Sequence, residues 1–126
     1  MFTWKISEKE GDLEVFAQVE VIGDDLLVIL WGGTEPHIGA IGMAQPRPSL
    51  KDPRTMSATS SVFTFLGHKE DIVVKEISEG LASKLNRKVV VVAGMHWEGL
   101  QDEGIGGVVR ICRRIKEKVL QKMEGI

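Results

Sequence analysis

The sequence predicts an α+β fold on a largely antiparallel sheet, in the order β-β-β-β-α-β-α, as a single domain over residues 1–126. Three observations predict it. Two apolar runs, Leu13 to Ile22 and Leu26 to Trp31, are joined by the short turn Gly23-Asp24-Asp25, which makes them antiparallel neighbours. Helical spacing of apolar residues appears only in the second half of the chain. Between those helical stretches lies Val89 to Ala93, a β-branched run suited to a central strand. The short turns between the early strands argue against a doubly wound parallel sheet, whose strands need long crossovers.

In the first strand Leu13, Val15, Ala17, Val19 and Val21 share one face, against Glu14, Gln18 and Glu20 on the other. The second, Leu26 to Trp31, is apolar throughout, as expected of a strand covered on both faces. Gly32-Gly33-Thr34-Glu35-Pro36 breaks it. Ile38 to Ala44 then runs as a third strand, and its glycines mark a bulge or a close approach by another backbone or a ligand. Gln45 to Thr55 reads as irregular, since Pro46, Pro48 and Pro53 forbid a helix and deny ladder donors. Met56 to Leu66 is a fourth strand, hydroxylated in its first half and bulky in its second. A helix follows from about Lys69 to Leu85, with Val73 or Val74, Ile77, Leu81 and Leu85 on its buried face; Glu70 and Asp71 suit its positive end. Gly94 to Gly107 reads as a loop. The last helix, about Val108 to Met123, buries Val108, Cys112, Ile115 and Val119. Its other faces are crowded with Arg110, Arg113, Arg114, Lys116, Lys118 and Lys122, read as a solvated surface.

Composition bounds the function. With 126 residues, 43% hydrophobic and 27% charged, the chain is an ordinary globular protein large enough for a core. A net charge of −2 and the absence of tyrosine, with three Trp and four Phe not interleaved among basic residues, argue against nucleic acid. The lone Cys112 excludes an internal disulfide and fits a reducing compartment. No apolar run is of signal-peptide or membrane-spanning kind, so no membrane is expected and the location is read as cytoplasmic.

Chemistry-bearing residues gather between Trp31 and Glu70, which hold two of the three histidines and all four prolines. His37, His68 and His96 show no metal-binding spacing, and no metal is expected. Ser57, Thr59, Ser60 and Ser61 lack the strand-to-helix elbow of a serine hydrolase. Anion binding is the best physical case. Arg47, Lys51 and Arg54 sit in a proline-stiffened segment, arginine suits bidentate phosphate or carboxylate contact, and Ser57, Thr59 and Ser60 add hydroxyl donors. Gly67-His68-Lys69 delivers a helix N-terminus, with its free N–H groups, right after that strand.

The succession PHIGAIGMAQPRPS, SATSSVFTFLGHKED and VVVVAGMHW resembles the prenylated-flavin chaperone-like family, related to the accessory subunit of hydroxyarylic-acid decarboxylases and similar in fold to proteasome assembly chaperones. The resemblance runs from Asp25 to about Trp97 and is strongest at Pro36-His37-Ile38-Gly39, Arg47-Pro48-Ser49 and Gly67-His68-Lys69-Glu70. It implies a proteasome-assembly-chaperone-like fold, a homodimer formed through sheet or helices, and no catalysis. It also implies binding of prenylated flavin mononucleotide, or FMN, for delivery to a decarboxylase or for that enzyme's maturation. On that reading Arg47 and Arg54 meet phosphate, Ser57, Thr59 and Ser60 donate hydroxyls, and His37, Ser49, His68 and Lys69 complete the pocket. Two alternatives stand beside it: a protein-assembly chaperone whose loops dock a protein, and an enzyme using His37 or His68 as acid/base.

Overall fold

The computed structural model describes residues 2–65 and 70–125. The elements are β1 (Phe2–Glu10), β2 (Leu13–Ile22), β3 (Asp25–Gly33), β4 (Ala40–Pro48), β5 (Met56–Thr64), α1 (Asp71–Leu85), β6 (Val89–His96) and α2 (Asp102–Glu124). The strands form one six-stranded sheet in the order β1-β2-β3-β6-β4-β5. Every pairing is antiparallel except β3 with β6. The α+β class therefore holds, with one more strand than the sequence pattern predicts.

Alternation divides the sheet into two faces. Val15, Ala17, Val19, Val28, Leu30, Val89 and Val91 are fully covered beneath the helices. α1 lies over β4 and β5, α2 over β1 and β2, and the helices touch each other. α1 buries Val73, Val74, Ile77 and Leu81, and ends at Asn86 in the left-handed conformation. α2 buries Ile111, Ile115, Val119 and Leu120. Cys112 lies in this layer, where burial first and Glu76 second push its thiol up to about 12, so it stays an unreactive packing residue. On the other face no helix covers Leu27, Ile29, Trp31, Ile41, Met43, Val90 and Val92, which are half-buried or exposed.

Four sequence expectations are corrected. The N-terminal segment is a strand: Trp4 and Ile6 pack on the core, and Gly11, at φ 59°, turns the chain into β2. Gln45 to Pro48, expected to be irregular, continues β4. β6 pairs with β4 only from Ala40 to Ala44, so beyond that point β4 has β5 alone as a neighbour. A strand with one free edge tolerates Pro46 and Pro48. β6 runs past Ala93 to His96. α2 begins at Asp102, so Gly104 to Gly107 is helical rather than loop. Gly107 has a packing reason: a Cβ there would stand 2.9 Å from Glu10 Oε2 and 3.1 Å from Leu13 Cδ1.

The cationic face of α2 is largely used internally. Arg110 binds Glu10 at 2.6 Å, Arg113 binds Glu76 at 2.9 Å, and Arg114 and Lys118 reach Glu8 at 3.2 and 2.6 Å. The glycine of β4 marks a close approach, as expected: a Cβ on Gly42 would lie 2.7 Å from the carbonyl oxygen of Val74, so α1 rests its backbone on β4.

Two outcomes follow from this packing. Gly42→Ala must push α1 off the sheet and should cost roughly 1–3 kcal/mol of stability in urea unfolding; an unchanged midpoint would show that α1 is not seated on β4. The Lys118 hydrogen bond, followed by the other contacts with Lys118 and Arg114, holds the Glu8 carboxyl below the ordinary carboxylate range. Its stabilisation is therefore full above that range and is lost as pH falls through the depressed value. The stability gap between wild type and Glu8→Gln should be present at neutral pH and close in acid; a gap independent of pH would refute the pairing.

Candidate functional site

The parallel pair β3 and β6 ends at one level, Gly33 beside His96. From that end both chains leave as loops, and the N-termini of α1 and α2 return to it. Together they enclose a cavity of about 310 Å³. Its wall is apolar, with Ile72, Val73, Trp97, Leu100, Ile105 and Val108, and it includes Glu70 and His96.

Glu70 precedes α1 but makes no side-chain cap to the helix. Its carboxylate turns back to the sheet instead. Oε1 accepts the Met95 N–H at 3.1 Å and lies 3.2 Å from His37 Nε2. The His37 ring is aligned from its other side, where Nδ1 lies 2.8 Å from the carbonyl oxygen of Glu35. A carbonyl only accepts, so Nδ1 carries the hydrogen. The site also depends on Gly94, since a Cβ there would overlap the His37 carbonyl. His96 is half-exposed and 3.2 Å from Glu98.

The residues singled out from sequence fall in two places. His37 belongs to this cavity end. Arg47, Ser57 and Thr59 lie together near the far end of the β4–β5 ribbon. There Arg47 Nε donates to Thr59 Oγ1 at 2.7 Å, its second nitrogen donates to the Pro48 carbonyl at 3.1 Å, and Ser57 is its register partner. Ser60 is turned to the helix face, where it donates to Glu79 at 2.6 Å and accepts from Lys75 at 3.2 Å. Hydrogen bonding from Lys75 first, then Ser60, lowers the Glu79 carboxyl. Ser49 accepts the Lys51 and Asp52 N–H groups and so shapes the β4–β5 turn, while Arg54 pairs with Asp52 at 3.1 Å. His68 and Lys69 lie outside the described residues. Nearly the whole of β4 separates His37 from Arg47, on the order of 25 Å at ~3.3 Å per residue. One small ligand does not span both.

Glu70 is the residue the sequence reading misses as a site group. An acid at a helix start reads as a partner for the helix dipole, and only the fold shows it facing β6. Among the described residues no cluster of three or more His, Cys, Asp or Glu could hold a metal ion. Among the described residues no helix is long and apolar enough to cross a membrane.

Comparison with known proteins places this architecture. The fold is similar to that of a chain from a chaperone complex for yeast 20S proteasome assembly, with a TM-score of 0.53 and 14% identity, covering 99% of this chain and 98% of that one. That likeness defines the class of fold. The chain belongs to the prenylated flavin chaperone LpdD-like family, whose domain matches residues 9–124. It is also similar to Protein LpdD of Lactiplantibacillus plantarum (strain ATCC BAA-793 / NCIMB 8826 / WCFS1), at 27% identity over 88 residues. That match covers 70% of this chain and 61% of the relative, so the chain spans about three fifths of the length of that curated protein.

Removing the carboxylate should expose its structural share. Glu70→Ala leaves the Met95 N–H without its acceptor and His37 without its facing charge, and should cost about 1–3 kcal/mol in chemical denaturation. No loss would mean that water or another group satisfies Met95.

Proposed function

We propose that this protein is a non-enzymatic carrier that holds prenylated flavin mononucleotide, or FMN, and passes it to a decarboxylase or assists that enzyme's maturation. The observation that carries this reading is the cavity of about 310 Å³ at the end of β3 and β6, in a chain of the prenylated flavin chaperone family. Ligand sites run from ~300 to 1,000 Å³. The cavity is at the small end, with room for an apolar ring system and not for a whole nucleotide. Trp97, Leu100, Ile105 and Val108 fit the ring and prenyl surface, and the ribityl phosphate stays outside. The flavin is cargo, and the protein's work is to bind it, orient it and exclude water.

The uncovered sheet face supports the homodimer reading. Phe16 stacks on Trp31 with ring centroids 5.8 Å apart, and Met43 and Phe63 are 50% and 60% exposed. An apolar face of this kind calls for a cover. Two copies related by a two-fold axis along the strands set β4 of one over β2 of the other. By the strand register Arg47 then comes toward the β2–β3 turn of the second copy, where Asp24 is exposed. In this arrangement the Arg47, Ser57 and Thr59 cluster takes a carboxylate of the second copy rather than a phosphate. A second reading, assembly of a protein partner without cargo, draws on the same face and on the likeness to the yeast chaperone chain. Both readings place the protein in the cytoplasm.

Native mass spectrometry of the protein co-expressed with a flavin prenyltransferase, with its absorbance spectrum, tests the proposal. A dimer carrying a flavin-sized adduct is expected. Arg47→Glu should shift the dimer toward monomer and leave the adduct per chain unchanged. A dimer with no adduct and no visible absorbance would sink the carrier reading in favour of protein assembly; a monomer would sink the interface.

A further inference from the structure

We infer that Glu70 reads the ligand: the cavity takes a flat apolar ring that presents an N–H donor, and the free oxygen of the Glu70 carboxylate accepts it. The inference rests on the carrier reading only for the identity of the ring.

Three observations lead there. The first is the economy of polar groups. The wall is apolar apart from Glu70 and His96, and His96 already has Glu98. Orientation of a ligand at depth therefore falls to Glu70. The second is the state of its two oxygens. The Glu70 side chain is 9% exposed, and Oε1 has both Met95 N–H and His37. Oε2 is covered and has no hydrogen-bond donor among the described residues. A buried acceptor left without a donor is costly, and a ligand that supplies one recovers that cost. Oε2 rests against Gly39, where a Cβ would stand 2.7 Å from the carboxyl carbon. Only glycine lets the carboxylate sit there, and the terminal torsion of a glutamate is broad. On ligand entry we place Oε2, turned about that torsion away from Gly39, at the cavity wall that Glu70 lines.

The third observation is the sign of the surroundings. Asp71 lies in the first turn of α1, and Asp102 and Glu103 lie in the first turn of α2. Glu98 follows β6. The two helix N-termini, otherwise good anion sites, already carry their own carboxylates. Among the described residues these carboxylates disfavour a phosphate or carboxylate at the helix starts and favour a polarised N–H, or a positively charged nitrogen. On a flavin the group of that kind is the imide N–H of the pyrimidine ring. It enters first, and the ribityl chain trails toward solvent.

Matched ring pairs test this. Lumiflavin and 3-methyllumiflavin differ only in that N–H, and indole and N-methylindole repeat the contrast without a flavin. Binding is followed by flavin fluorescence and by ligand-observed NMR. Wild type should prefer the N–H member of each pair by about tenfold. In Glu70→Gln the amide carbonyl keeps Met95 and the amide NH₂ replaces Oε2, turning an acceptor into a donor. The preference should then vanish or invert, with circular dichroism unchanged. Ile105→Trp fills the cavity and should abolish binding of both pairs. If the indole pair is discriminated through Glu70 and neither flavin binds, the inference stands and the carrier reading falls. If flavins bind without discrimination, the carrier reading stands and the inference is overturned. Failure of both pairs to bind overturns it too.

Discussion

The insertion of β6 between β3 and β4 is the constraint on which the rest depends. β1 to β3 form one antiparallel meander and β4 to β5 a separate ribbon, and β6 alone joins them. It pairs with β3 from Leu26–Val89 to Gly33–His96, and with β4 from Ala40–Ala93 to Ala44–Val89. A strand fixed on both edges is buried on its helix side, which is why Val89, Val91 and Ala93 are small, apolar and fully covered. Until that strand arrives, neither half of the sheet has a complete surface for α1 and α2.

The same insertion creates the cavity. Parallel neighbours end together, so β3 and β6 release their chains at one edge, and helix N-termini return to it. Open α/β sheets hold ligands beyond the carboxyl ends of parallel strands for this reason. Here one parallel pair within an antiparallel sheet reproduces that geometry. Glu70 then links the parts: it precedes α1, accepts the Met95 N–H of β6 and faces His37 in the β3–β4 connection. Helix, central strand and loop share one carboxylate, which ties the wall of the cavity to the middle of the sheet.

How much of this was legible follows from what each pattern encodes. β2, β3, β5, β6 and α1 announce themselves because their apolar residues repeat with the period of the element that buries them. β1 does not. Its core face begins with Trp4 and Ile6 and changes to Glu8 and Glu10, whose partners are the arginines and lysine of α2. An alternation that turns acidic halfway has no apolar period to read. The prolines of β4 mislead for a different reason: their cost depends on whether a second neighbour is present, and β6 starts too late to be one there. His37 stands out in the sequence as a histidine in the loop that follows a strand, and the fold sets it 3.2 Å from Glu70. Its partner does not stand out, since an acid at a helix start has an adequate local explanation. Arg47, read in the sequence as part of an irregular proline-stiffened segment, instead lies on β4 beside Ser57 and Thr59, and its distance from His37 depends on how long β4 is.

The cavity and the uncovered face of the sheet lie apart. The cavity opens at the strand ends, among acidic helix starts. The uncovered apolar face spans the opposite side of the sheet, with Arg47 toward one margin. On the carrier proposal, a copy or partner seated on that face would leave the cavity mouth open. A short path joins the two surfaces, from Glu70 to Met95 and along β6 to Val90 and Val92 on the open face. That path runs along a strand hydrogen-bonded on both edges from Val89 to Ala93, so a displacement at the cavity end is shared with β3 and β4.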